Sequence, residues 1–201
     1  MYIEAVIPMS NRFVLAILAS VCASALVSCS SGPGPPQSVL DENTGVTLNA
    51  VSEPMLFARV REDVGASTRD YVTLVAMEID NAGKYTQLLL MYRWSVSFKG
   101  RATPPPQNSG RLVIEADDLK IELQPMGRMP VDLSRNKVLF VPDAPEVQKY
   151  AYLTDFATMR RIASSHDLAV RLPQEPPDTP IPLWRDGRPA LAQLIQQLNG
   201  S

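Results

Sequence analysis

Past position 29 this 201-residue chain has no cysteine; its two, Cys22 and Cys29, both fall in the N-terminal segment. The rest therefore holds no disulfide and no thiolate metal site, and its stability must come from packing alone. Histidine is nearly absent as well. His166 is the only one, which excludes the common multi-histidine zinc centres. No run of Lys or Arg exceeds Arg160-Arg161 and the net charge is −2, so the basic face that nucleic acid requires is missing. The first 28 residues hold one arginine and one glutamate, Arg12 and Glu4, so their removal leaves that balance unchanged. Glycine-rich phosphate loops, a Walker loop and a Gly-x-Ser-x-Gly elbow are all absent, and no cofactor or metal is expected. Calcium would need several oxygen ligands from one loop; the nearest approach, Asp41-Glu42-Asn43-Thr44-Gly45, fits poorly. The longest apolar run, about 14 residues over 13–26, falls short of the roughly 20 that span a bilayer.

Proline is what the chain has in excess. Eleven of its 18 prolines cluster at 33–36, 104–106 and 173–182, which read as breakers and linkers rather than core. The roughly 170 residues after position 28 suffice for one domain with its own core.

The apolar run FVLAILASVCASAL follows Arg12 and has the length of a signal-peptide h-region. Small residues come next, and then Leu26-Val27-Ser28-Cys29-Ser30. This resembles the lipobox of bacterial lipoproteins: aliphatic at −3, permissive at −2, small at −1, then cysteine. The resemblance implies that Cys29 is thioether-linked to diacylglycerol and that a signal peptidase cuts between Ser28 and Cys29. It implies a membrane as partner through the acylated cysteine, and a thiol that is unavailable for catalysis. Two or three acyl chains hold where one would be marginal, at about 0.8 kcal/mol per buried CH₂. A plain secretory site at Ala23-Ser24-Ala25 competes weakly, and Cys22 is disfavoured because Val21 is bulky for −1. Residues 1–8 carry Glu4 and Pro8 and make a poor n-region, so Met9 is the expected start. Ser30 after the cysteine, where enteric bacteria use aspartate for inner-membrane retention, points to the outer membrane facing the periplasm. Residues 30–38 (SSGPGPPQS) read as a tether of roughly 25–30 Å.

Downstream, strand periodicity dominates. Val46, Leu48 and Ala50 alternate with polar residues, and 55–60 continues as a short apolar stretch. Segments 71–80 and 85–98 flank Asn81-Ala82-Gly83-Lys84, a hairpin with a four-residue loop. Leu88, Leu90, Tyr92, Trp94, Val96 and Phe98 share one face. Leu112 and Ile114 face Leu119, Ile121 and Leu123 around Asp117-Asp118. Segment 136–141 reads as an apolar strand, 147–153 and 168–172 as further strands. Thr154 reads as the N-cap of a helix over 155–163, and Pro189 sits at the first position of a closing helix over 190–198. The expected fold is α+β: mostly antiparallel sheet with two short helices packed on one face, as one domain over 39–201.

No site stands above the background. Ser-Ser-His-Asp at 164–167 reads as turn chemistry, since triads are assembled from residues distant in sequence. Asp117-Asp118, Glu62-Asp63 and Glu78/Asp80 read as turn, loop and strand-end charges. Arg160-Arg161 and Arg185/Arg188 read as solvated faces. Tyr150, Tyr152 and Trp184 are the aromatics offered as a candidate binding surface, with a place over the edge of the core as the stronger alternative. The expectation is thus a lipid-anchored envelope protein, more a binding or assembly module for another envelope component than an enzyme. Two other classes stay open: a lipid-anchored hydrolase with paired carboxylates, and a carrier of an apolar ligand between sheet and helices.

Overall fold

The computed structural model describes residues 32–42, 44–62, 64–65, 67–97, 110–126, 140–144, 146–173 and 179–200. Ser28, Cys29, Phe98, Asp63 and residues 136–139 of the strand expected over 136–141 lie outside them; Phe140 and Val141, the described end of that segment, are not in a strand. The compact unit begins at Pro33.

Its centre is the long hairpin of β4 (Thr68–Asn81) and β5 (Lys84–Ser97), paired over their whole length. The strands run further than the alternation indicated, leaving a two-residue turn, Ala82-Gly83, in place of four. Both turn residues have positive φ, +50° and +83°, the type I′ geometry whose twist matches the flanking strands. Asp80 supports the turn by accepting from the Gly83 N–H at 2.8 Å.

One edge of β4 is shared by two strands. β2 (Val46–Ala50) pairs with residues 77–80, and β3 (Met55–Val60) pairs with residues 69–74. β1 (Gln37–Asp41) extends the sheet beyond β2. The tether is consequently shorter than expected: Gln37 and Ser38 are in the sheet, the Gly34 carbonyl accepts from Ser52 Oγ, and the Pro33 carbonyl accepts from Gln193. The loop joining β1 to β2 is a hairpin turn closed on the Asp41 carbonyl.

β8 (Val147–Thr154) flanks β5 on its other edge. The remaining strands, β6 (Leu112–Ala116), β7 (Leu119–Leu123), β9 (Leu168–Arg171) and β10 (Ile181–Arg185), form an antiparallel run β10-β9-β6-β7. β10 lies in the stretch read as a proline-rich connection. Pro182 is tolerated there because β10 pairs with β9 and β3 at different residues, with a bulge between Leu183 and Arg185. That irregular strand joins the two runs into one curled sheet, a half-barrel.

The architecture is broadly α+β: among the described residues, antiparallel sheet with helices α1 (Phe156–Ser164) and α2 (Arg188–Asn199) in the C-terminal third. The α1 cap is Asp155, not Thr154; Thr154 is still paired with Gln87, and the Asp155 carboxylate accepts from Thr158 N at 2.7 Å. Pro189 stands one place further into α2 than expected, after Arg188.

Burial departs from simple alternation where the sheet curls. Leu88, Leu90 and Tyr92 are buried as their spacing requires, but so are Leu89, Met91 and Arg93 on the opposite face of β5. A strand covered on both sides cannot be recognised from a half-buried pattern. Glu78, expected as a strand-end charge, is likewise buried and accepts from Gln87 Nε2 at 2.8 Å.

Candidate functional site

Three features carry the chain's concentrated chemistry. The first is internal. Strand alternation sends Arg59 of β3, Asp70 of β4 and Ser95 of β5 to one face at the same register. Arg93, two residues along β5, lies on that face too. The Asp70 carboxylate has no exposure; Arg59 and Arg93 each place a guanidinium nitrogen 3.5 Å from it, and Arg61 places one at 3.6 Å. Ser95 Oγ donates to its other oxygen. Asp70 is the counter-charge that the three guanidinium groups share. The other buried carboxylate among the described residues, Glu78, lies eight positions along the same strand, about 27 Å away at ~3.4 Å per residue. These two acids cannot act on one bond. Asp70, Arg59 and Arg93 were not singled out by sequence; the only available signal was a run of charges inside apolar strands.

The second feature is a row of aromatic rings on the opposite face of β4 and β5. Tyr71 and Trp94 sit at the same register and stack with centroids 4.2 Å apart and planes 14° from parallel. Trp94 Nε1 donates to Thr73 Oγ1 at 3.3 Å. The Arg69 guanidinium lies 4.8 Å from the centroid of Trp184, and the Lys149 ammonium 5.5 Å from that of Tyr92. Trp184 is 60% exposed. A tryptophan held open to water by a strand and a cation is pre-organised for contact, since little rotamer entropy remains to be lost on binding.

The three aromatics offered from sequence part company here. Trp184 is at the surface. Tyr152 is fully buried and donates to the Gly110 carbonyl at 2.6 Å, and burial pushes its phenol well above the usual range. Tyr150, on the same side of β8, is half-buried, its ring standing where a side chain on Gly110 would be. Gly110 itself has φ of +75°. Tyr152 thus leaves the candidate surface, because even positions of β8 face inward and Trp184 belongs to a different strand.

The third feature is the junction of α1 and α2. Asp117, at φ +53° in the β6–β7 turn, accepts from the backbone N–H groups of His166 and Asp167 at 2.9 and 3.0 Å. Those bonds, Asp167 first and then His166, hold its carboxyl below the usual range. Arg188 grips the same loop from the other side, donating to the carbonyls of Ser165 and His166 while forking onto Asp186 at 2.8 and 2.7 Å. His166 is exposed and its backbone serves as a strut. Between the helices runs an open groove of about 610 Å³, lined by Ala157, Arg160, Arg161, Ala192, Ile195 and Gln196 among others.

No protein-family model, no curated protein and no solved structure matches this chain. Its chemistry is therefore read from its own residues. Among those described, no cluster of three or more His, Cys, Asp or Glu side chains is placed to hold a metal ion, and no helix is long and apolar enough to cross a membrane. Buried charge here goes into tying strands together, while the Trp184 ring beside Arg69 is open to solvent.

Proposed function

We propose that this chain is a lipid-anchored protein of the bacterial envelope, attached through Cys29 and destined for the outer membrane, whose domain binds another envelope component. The observation that carries the binding role is Trp184: a large apolar side chain, exposed and fixed under Arg69. Exposed aromatic residues with arginine beside them dominate contact energies in protein interfaces. The anchoring role rests on Leu26-Val27-Ser28-Cys29 behind its h-region. With both helices on one face of the sheet, as their mutual contact and the common burial of Met159, Ile162, Leu191 and Leu194 support, the Trp184 surface stays uncovered.

Two experiments test the two halves. Palmitate should label the full chain and not its Cys29→Ala variant; continued labelling of that variant would overturn the anchor. A photoreactive residue replacing Trp184 should give a discrete adduct with an envelope component in intact cells, and the same residue at exposed Tyr85 should not. Equal adducts from both positions would remove the role given to Trp184.

A further inference from the structure

We infer that the groove between α1 and α2 seats an anionic phospholipid of the bilayer that holds the anchor, with Arg160 and Arg161 on the phosphate and the alanine-lined floor against the acyl chain. The inference rests on the anchor proposed at Cys29 and adds a second contact to it. Three residues separate Cys29 from Pro33, where the compact unit begins. A chain of that length reaches about 14 Å at most, at ~3.3–3.6 Å per residue. Pro33 is in turn held to α2, its carbonyl accepting from Gln193 Nε2 at 3.4 Å. Gln193 directly follows Ala192 and precedes Ile195 and Gln196, which form the α2 wall of the groove. An acylated Cys29 would therefore keep that wall within headgroup range of the membrane.

The lining suits a lipid. Ala157, Ala163, Ala192 and Ile195 give a shallow apolar floor, the small side chains leaving room for a chain to lie between the helices. Arg160 and Arg161 are both exposed, and Arg161 also lies in the field of the Asp117 carboxylate at the β6–β7 turn. No acidic side chain lines the groove. Two adjacent arginines over an apolar floor match a headgroup phosphate above hydrocarbon. Each basic residue near an anionic surface is worth about 5-fold in affinity, so the pair supplies roughly 25-fold.

The test uses the full-length protein, recovered from membranes and reconstituted in vesicles of phosphatidylcholine alone or with phosphatidylglycerol. Amide hydrogen exchange in segments 157–164 and 192–196 should slow about 10-fold or more only where phosphatidylglycerol is present. Arg160→Gln/Arg161→Gln should abolish that difference without changing the melting temperature. Equal exchange in the two vesicle types, or an unchanged difference in the double variant, overturns the inference. Palmitate incorporation is measured on the same preparation. Labelled protein without lipid-dependent slowing refutes the groove and leaves the anchor standing, whereas slowing in unlabelled protein supports the groove and refutes the anchor.

Discussion

Replacing Asp70 by asparagine keeps the side chain's volume and an acceptor for Ser95 but deletes the charge shared by three guanidinium groups. Arg59 and Arg61 retain 12% and 11% side-chain exposure and can lean toward water; Arg93, at 0%, cannot. The loss therefore falls on Arg93. At 3.5 Å a pair of unit charges is worth roughly 4–5 kcal/mol with an effective dielectric near 20, and breaking a buried pair costs about 3–5 kcal/mol in practice. Arg93 has further contacts, which places the expected cost near 3 kcal/mol. In urea, with m of about 2 kcal/mol per molar, the midpoint should fall by roughly 1.5 M. Arg93→Met should cost a similar amount. The double variant Asp70→Asn/Arg93→Met should cost less than the sum of the singles by about 2 kcal/mol or more, because Arg93 is the partner that cannot lean toward water once the charge is gone. A midpoint shift below about 0.5 M for Asp70→Asn, or strict additivity in the cycle, would refute the idea that Asp70 holds this face of the sheet together.

Ala82→Asn should stabilise the protein by about 0.5–1 kcal/mol in thermal unfolding, since asparagine tolerates the positive φ that alanine resists in the turn. Tyr152→Phe removes the bond to the Gly110 carbonyl and should cost about 1 kcal/mol. It should also flatten the loss of stability above pH 10, where unfolding releases a phenol that burial keeps protonated. Gly110→Ala should destabilise more strongly, about 2 kcal/mol or more, because the methyl group meets both a positive φ and the Tyr150 ring at 2.5 Å. At the acid end Asp117, Asp155 and Asp186 all have carboxyls held below the usual range, the first by the Asp167 backbone N–H, the second by that of Thr158, the third by the Arg188 guanidinium. Their contribution is present above the unfolded carboxyl value near 4 and is lost as pH falls through the depressed folded values. The triple Asp→Asn variant should show a shallower decline of melting temperature below pH 4; an unchanged slope would mean that these bonds do not contribute.

Much of the sheet was legible in the chain because alternation reports burial directly. Val46, Leu48 and Ala50, the β6–β7 hairpin and β8 fall where period-2 spacing put them. Both helices were legible from start signals near Thr154 and Pro189 rather than from alternation, with terminal shifts of one or two residues. β10 was hidden because its prolines mimic a linker, and the bulge that tolerates them is a property of its neighbours. The Asp70 cluster was hidden because its members, on β3, β4 and β5, are brought to one register only by strand pairing. Tyr152 and Trp184 looked alike as aromatic residues in short strands. Which one faces water depends on which side of which strand each occupies, and composition does not carry that.

By itself the sequence determined the local terms: where chain stiffness and alternation favour strand or helix, where positive φ is needed, and the lipobox pattern ending at Cys29. Those are properties of neighbours along the backbone. The tertiary structure alone decided that β5 is covered on both faces, that a carboxylate and three arginines share the edge of the core, and that Pro33 is pinned to α2 four residues past the expected anchor. The physical reason is that burial and charge pairing are set by long-range register, and a one-residue change in that register would exchange every inward side chain for an outward one.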